Sequence, residues 1–454
     1  MKTVKTLLVA SLPLISLGVN ALTPQFKDVK TGDTVRVATF NVSFDRNSPE
    51  TLENELLLNR AEQDMLLKRL AQNDPALTKE EKATAQHVQQ IRNVAEIVQR
   101  VRPDIFVLNE FDYNTRPEAG NIALKNFVNN YLAVAQKEKL KGIPFATGQV
   151  IPTNTGLQSG FDLDNDGKTG TPNDAFGFGK FTGHYAFAIL SQFPIDAEKT
   201  RSFQQFKQKD LKGASNPVID DCNNVRAKIP QNKACGDQWY SDDAWNNFRL
   251  SSKNHVDIPV KVGKTSIHML LSHPTPPVFN NAARHNLKRN RDELNFWAEY
   301  LNNQDYLTDD QGKKGGLAPN EAFVIAGDLN ADPIVGDGDK NAIIGLYSHK
   351  RVNQNVANGD LLPTSKGAVE FLASEDARRN KDRANPEQIT HHGGMRLDYV
   401  LPSANLNAVA SGVFWPKNGE EGSELVRAKI DGKIDTGKKV SSDHRMVWVD
   451  LKVE

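Results

Sequence analysis

The chain has 454 residues, 56 basic and 56 acidic side chains, two cysteines and a mean hydropathy of −0.53. At 38% hydrophobic and 25% charged residues it reads as a water-soluble globular protein, and length alone suggests about three domains. Two cysteines exclude a disulfide-dense scaffold and any cysteine-rich zinc or iron–sulfur framework, while balanced charge argues against bulk electrostatic capture of nucleic acid.

Residues 1–21 read as a secretory signal peptide. Lys2 and Lys5 give a basic start, residues 7–19 are apolar, and Val19 and Ala21 occupy the −3 and −1 positions before Leu22. The run is too short to span a bilayer, and no later segment approaches the roughly 18 apolar residues that a span needs. The protein is therefore expected to be secreted or periplasmic, cleaved after Ala21, with no transmembrane segment. Losing two lysines and no acid leaves it two charges negative.

Beyond the signal segment, strand-like apolar runs occupy 34–42, 104–109, 185–191, 255–262, 266–272, 322–326, 396–401 and 446–453. Helical spacing lies between them. Leu52, Leu56, Met65, Leu66 and Leu70 predict a helix over 51–70; Val88, Ile91, Val94, Ala95 and Val98 predict one over 85–101, stopped by Pro103. Leu287, Leu294, Trp297 and Leu301 predict a third over 282–301. Several strand runs follow one another directly through turns, so two mixed sheets covered by helices fit better than a parallel doubly wound sheet. Stretches 142–182, 201–253 and 332–388 are rich in Gly, Asn, Asp, Lys and Pro and read as loop insertions. In the second of them, Cys222 and Cys235 are expected to pair in an oxidising compartment and staple a polar loop.

The first insertion carries Asp162, Asp164, Asp166 and Gly167, the alternating carboxylates and turn glycine that open a calcium loop. Asn173 and Asp174 follow where an EF-hand would place its bidentate Glu, and the flanks are Gly-rich, so this is no EF-hand. A structural Ca²⁺ site on Asp162, Asp164, Asp166 and Asp174 is expected.

Polar residues end several of the apolar runs, where packing does not call for them. They are Asn41, Glu110, His273, Asp328 with Asn330, Asp398, and Asp443 with His444. Singly, each reads as a turn former or a satisfied core group. Together they form an oxygen-rich, cysteine-free set suited to a hard divalent ion and phosphate chemistry. A His beside a carboxylate adds the usual acid–base arrangement.

In this order the residues resemble the endonuclease/exonuclease/phosphatase superfamily, the DNase I-like fold, and the large exported bacterial members in particular. The likeness spans 41 to 444. It implies an α/β (α+β) fold, a four-layer α/β/β/α sandwich of two mixed sheets, and one decorated domain over 22–454 instead of three. It also implies roles: Glu110, with Asn41 and Asp443, for a catalytic Mg²⁺ or Mn²⁺; Asp328 for the attacking water; Asn330 for the scissile phosphate. His444, its tautomer fixed by Asp398, would contact the phosphoryl oxygens, and His273 matches the general acid of the DNase I type. Ser43 stands where some repair nucleases carry Asp, which weakens that analogy; Asp45 lies two residues further on.

The leading expectation is an exported Mg²⁺-dependent phosphoesterase, a phosphodiesterase or phosphatase acting on small or soluble esters. An extracellular DNA or RNA endonuclease of the same fold is the alternative. A non-catalytic, calcium-stabilised binding protein is the alternative from another class. Among the phosphoesterase readings a sphingomyelinase ranks third, since no apolar hairpin stands out for entering a membrane. His184, His392 and Arg284 are further candidates for substrate contact. Arg284, Lys288 and Arg291 share one helix face that suits a polyanion or simply water. No protein partner is implied.

Overall fold

The computed structural model describes residues 25–223, 228–430 and 432–453; the signal peptide expected over residues 1–21 lies outside them. The N-terminal half holds β1 (Thr34–Phe44), α1 (Pro49–Leu57), α2 (Arg60–Ala71), α3 (Lys79–Val101), β2 (Ile105–Phe111), α4 (Pro117–Phe127), β3 (Thr147–Ile151) and β4 (Phe187–Ser191). Next come β5 (Arg201–Ser202), α5 (Asp242–Asn247), β6 (His255–Val262), β7 (Thr265–Ser272), α6 (His285–Leu301) and β8 (Ala322–Asp328). The rest comprises α7 (Lys340–Tyr347), α8 (Gln354–Asn358), α9 (Lys366–Ala373), β9 (Asp398–Pro402), β10 (Asn407–Val413), β11 (Ala428–Ile430), β12 (Lys433–Asp435) and β13 (Val447–Lys452).

Two mixed sheets result, ordered β10-β13-β1-β2-β4-β3 and β5-β6-β7-β8-β9, with β11-β12 a separate hairpin. The strand alternation decides which residue faces which layer. Val35 and Val37 of β1 and Ile105 and Val107 of β2 pack inward on Ile258, Met269, Val324 and Val400 of the second sheet. Their neighbours Ala38, Phe40, Phe106 and Leu108 face outward onto Val88, Ile91, Val94 and Val98 of α3. On the far side, Leu270, Phe323, Ile325 and Leu401 pack against Leu294 and Trp297 of α6. The layers are therefore α/β/β/α. Burial on both faces is why these strands read as continuous apolar runs.

All eight strand runs read from the sequence form strands. The helix expected over 51–70 is two. It breaks before Asn59, whose side chain accepts from the N–H groups of Ala61 and Glu62 while Glu62 caps it in return. The stretches 142–182, 201–253 and 332–388 are less irregular than expected: they contain β3, β5 with α5, and α7 to α9. Cys222 and Cys235 are disulfide-bonded, with Cα atoms 5.9 Å apart. No helix among the described residues is long and apolar enough to cross a membrane.

The sheets bring their polar strand ends to one edge. Parallel β1 and β2 set Asn41 opposite Asn109, and antiparallel β8 and β9 set Asp328 opposite Asp398. Asn109 joins the two sheets there: its Oδ1 accepts from Thr39 Oγ1 and from the Asp328 N–H, both at 3.2 Å. Gly327 permits the approach, since a Cβ at that position would lie 2.2 Å from the Ser272 carbonyl oxygen and its φ is +149°.

Candidate active site

Asn41 stands at the centre of the cluster. Its Nδ2 donates to Glu110 Oε1 and to Asp328 Oδ2, each at 3.0 Å, linking a carboxylate of each sheet. Its Oδ1 accepts from the Ser43 N–H at 3.1 Å, so the amide turns its NH₂ to the acids and positions them. A bulge after Asn41 re-aims the chain. Ser43 thereby donates from Oγ to Asp443 Oδ1 at 2.9 Å. Ser43, Glu110 and Asn330 all have left-handed backbones, with φ of +53°, +56° and +51°. Each such conformation costs about 1 kcal/mol or more and is characteristic of functional sites.

From the loop before β13, His444 reaches the second sheet: its Nδ1 bonds Asp398 Oδ2 at 2.9 Å, and its Nε2 lies 3.6 Å from Asp328 Oδ2. Thr390 Oγ1 donates to the same Asp398 oxygen at 2.7 Å. His273 Nε2 approaches Asp328 Oδ2 at 3.4 Å. The Asn330 N–H donates to Asp328 Oδ1 at 2.9 Å, while its side-chain Nδ2 reaches the Pro274 carbonyl at 3.1 Å. The amide of Asn330 keeps one N–H for a ligand. Buried His273 Nδ1 and Asp398 Oδ1 have no hydrogen-bond partner among the described residues.

The two histidines shift in opposite directions. Burial alone would lower His444, but Asp398 and Asp328 overcome it and raise its pKa to about 10. Burial pushes Asp398 up to about 6, against the pull of His444. His273 is lowered by burial and by Lys253, so it is the neutral imidazole of the site. Asp328 is held well below the usual carboxylate range: burial opposes this, but His444, His273 and the Asn41 amide outweigh it.

Lys438 was not foreseen. Its ammonium lies 2.7 Å from Asp45 Oδ1 and 3.1 Å from Glu110 Oε2. Burial would lower its pKa, but Glu110, Asp443 and Asp45 together raise it. Burial would raise Glu110; Lys438 instead brings it down to about 2. Glu110 and Asp45 contact this ammonium and Asp443 acts on it through space, and oxygen donors of this kind suit Mg²⁺ or Mn²⁺. Asp45, whose direction was open in the sequence, faces this seat. His391 is a further neighbour: its Nε2 lies 3.7 Å from Asp443 Oδ2, its ring centroid 4.6 Å from that of His444, and its Nδ1 accepts from the Gly393 N–H.

The remaining candidates are placed differently, and of them His392 adjoins the cluster. His184 is 1% exposed, stacked between Phe181 and Tyr185, and burial lowers its pKa to about 4. That is the placement of a packing group, not of one that meets substrate. His392 is half-buried beside His391, with its backbone N–H on the Asp443 carbonyl at 2.9 Å. Arg284 is committed to Asp220, donating to both its oxygens at 3.0 and 2.7 Å, and Lys288 joins the same acid. In the acidic loop, Asp162, Asp164 and Asp174 bring one oxygen each within 4.8 Å of one another. Asp166 is outside that group and accepts from the Lys168 N–H.

The fold and site together define a two-sheet sandwich with acid, amide and imidazole groups gathered at one sheet edge. The chain belongs to the Endonuclease/Exonuclease/phosphatase family, whose profile matches residues 38–444. No curated protein matches it. Among solved structures it is similar to an endonuclease/exonuclease/phosphatase from Beutenbergia cavernae, at 13% identity over 92% of this chain and 72% of that one, TM-score 0.43. It is also similar to a mutant beta toxin from Staphylococcus aureus with bound magnesium ions, at 13% identity over 92% and 99% of the two chains, TM-score 0.40. A family protein from Leptotrichia buccalis is 12% identical over 92% and 99%, TM-score 0.39.

Proposed function

We propose that the protein is an exported, divalent-metal-dependent phosphoesterase, a phosphatase or phosphodiesterase, that cleaves P–O bonds by in-line attack of water, and that residues 22–454 form one decorated domain. The observation that carries this reading is Asp328, whose Oδ2 lies 3.6 Å from His444 Nε2, 3.4 Å from His273 Nε2 and 3.0 Å from the Asn41 amide. Asp328, held ionised, orients the attacking water. Asn330 offers its free amide N–H to a phosphoryl oxygen. His444 places positive charge where negative charge develops, and Asp398 and Thr390 fix its ring. His273, kept neutral by burial and 3.4 Å from Asp328, takes up the proton that Asp328 draws from the attacking water and returns it to the leaving oxygen. Glu110, Asp443 and Asp45 would hold Mg²⁺ or Mn²⁺, which neutralises phosphoryl charge as a Lewis acid when bound. A structural Ca²⁺ on Asp162, Asp164 and Asp174 belongs to the same reading, as does export, supported by the disulfide.

The test is purified protein with Mg²⁺ presented with plasmid DNA, bis-p-nitrophenyl phosphate and p-nitrophenyl phosphate. Turnover of at least one small ester is expected, abolished in Asp328→Ala and His444→Ala with folding retained. Plasmid nicking without cleavage of either small ester would make it a nuclease. Full activity in either variant would remove the site assignment.

A further inference from the structure

Lys253 lies just before β6, at the sheet edge that carries His273 and Asp328, and is 5% exposed. The chain around it is held by hydrogen bonds. The Ser252 N–H donates to Glu293 at 2.7 Å, the Lys253 carbonyl accepts from the Asn154 N–H at 3.0 Å, and Asn254 Nδ2 reaches the Pro152 carbonyl at 2.9 Å. The ammonium, by contrast, has neither hydrogen bond nor ion pair among the described residues. Glu293, the first acid to act on it, is already engaged by the backbone N–H groups of Ser252 and Thr275, the latter at 2.6 Å. Glu110 and Asp328 also act on Lys253, and Lys253 in turn lowers His273. Its charge therefore belongs to the active-site field.

An ammonium on a residue only 5% exposed keeps little water and has no contact partner, so it gains more from a bound anion than a freely solvated one does. The other charges of the site have contact partners: Lys438 has Glu110 and Asp45, and His444 has Asp398. Lys253 is the cation of this group without a contact partner among the described residues. A phosphomonoester near neutral pH brings one more negative charge to the site than a diester.

We propose that Lys253 is a substrate-binding residue whose ammonium holds a non-bridging phosphoryl oxygen and selects phosphomonoester dianions over diester monoanions. This rests on the phosphoesterase reading above. Calorimetry of inorganic phosphate binding to wild type, Lys253→Met and Lys253→Arg tests the contact. Steady-state kinetics on p-nitrophenyl phosphate and bis-p-nitrophenyl phosphate test the selection. One lost charge-assisted contact should weaken phosphate binding about ten- to a hundred-fold in Lys253→Met. KM should rise more for the monoester than for the diester, Lys253→Arg should restore part of both, and Tm should not fall. Unchanged phosphate affinity in Lys253→Met overturns the proposal. So does a lowered Tm with equal losses on both esters, the mark of a structural counter-charge. If wild type cleaves neither ester, the phosphoesterase reading fails by itself, and phosphate calorimetry still decides the role of Lys253.

Discussion

Lys438 Nζ lies 3.1 Å from Glu110 Oε2, so a side-chain cation already occupies the carboxylate seat proposed for the divalent ion. Two cations about 4 Å apart near a protein surface repel by about 4 kcal/mol per charge pair, so the ion must displace the ammonium or compete with it. Lys438→Met should therefore bind Mg²⁺ about ten-fold more tightly by calorimetry. Without metal the variant should melt lower than wild type, because Glu110, Asp45 and Asp443 then face one another unscreened. An unchanged Mg²⁺ affinity would place the ion elsewhere.

Asn41 gives both N–H bonds of one amide to carboxylates of different sheets. Asn41→Ala leaves two buried acids without that donor, at about 1–3 kcal/mol each. A lowered Tm and a loss of at least about a hundred-fold in kcat/KM are expected. Asn41→Asp should be worse still, since it adds a third negative charge beside Glu110 and Asp328. Near-wild-type turnover in Asn41→Ala would show that the acids hold their positions without it.

The pair His444–Asp398 sets a pH limit. The His444 pKa, about 10, lies above the ordinary 6.5, so the folded protein holds this proton more tightly than the unfolded chain. Its stabilising contribution is complete below about 6.5 and is lost as pH rises through about 10. Activity that depends on the imidazolium falls over the same alkaline limb. Asp398→Asn removes the nearest carboxylate, so burial gains the upper hand and the limb should move at least about one pH unit downward. Profiles of kcat/KM and Tm against pH measure both, and a limb that stays in place would discard the charge assignment for His444.

Much of this site was legible because its residues end apolar runs. Asn41, Glu110, Asp328 and Asp398 interrupt strands buried on both faces, where a polar side chain is conspicuous. Edge strands were harder. β3 contains Gly148, pressed against Leu190 and the Ile189 carbonyl, and β10 is half-exposed with Gly412, so neither shows strong alternation. Lys438 and Lys253 left no local mark at all, since lysines are ordinarily solvated; Lys438 stays exposed and is brought to Glu110 and Asp45 only by the fold, and Lys253 is buried only by it. Arg284 misled for the opposite reason: its basic helix face is neutralised by Asp220, 64 positions away in sequence.

The acidic loop allows a separate test. Asp174 is fully buried yet saturated, accepting from the N–H groups of Leu163 and Thr171 and from the Thr171 hydroxyl. Asp162 accepts from the N–H groups of Asp166 and Gly167, and Asp164 from Asp166 and the Asn173 amide. Those bonds give the loop a defined shape without any ion, so Ca²⁺ would act by screening three converging carboxylates rather than by folding the segment. Ca²⁺ at ten times its dissociation constant should raise stability by about 1.4 kcal/mol, visible as a Tm shift of a few degrees at most. Asp164→Ala should abolish that shift and leave Mg²⁺-dependent turnover intact, because the loop shares no hydrogen bond with the Asp328 cluster among the described residues. A Tm insensitive to Ca²⁺ in wild type would reduce the motif to a hydrogen-bonded acidic turn.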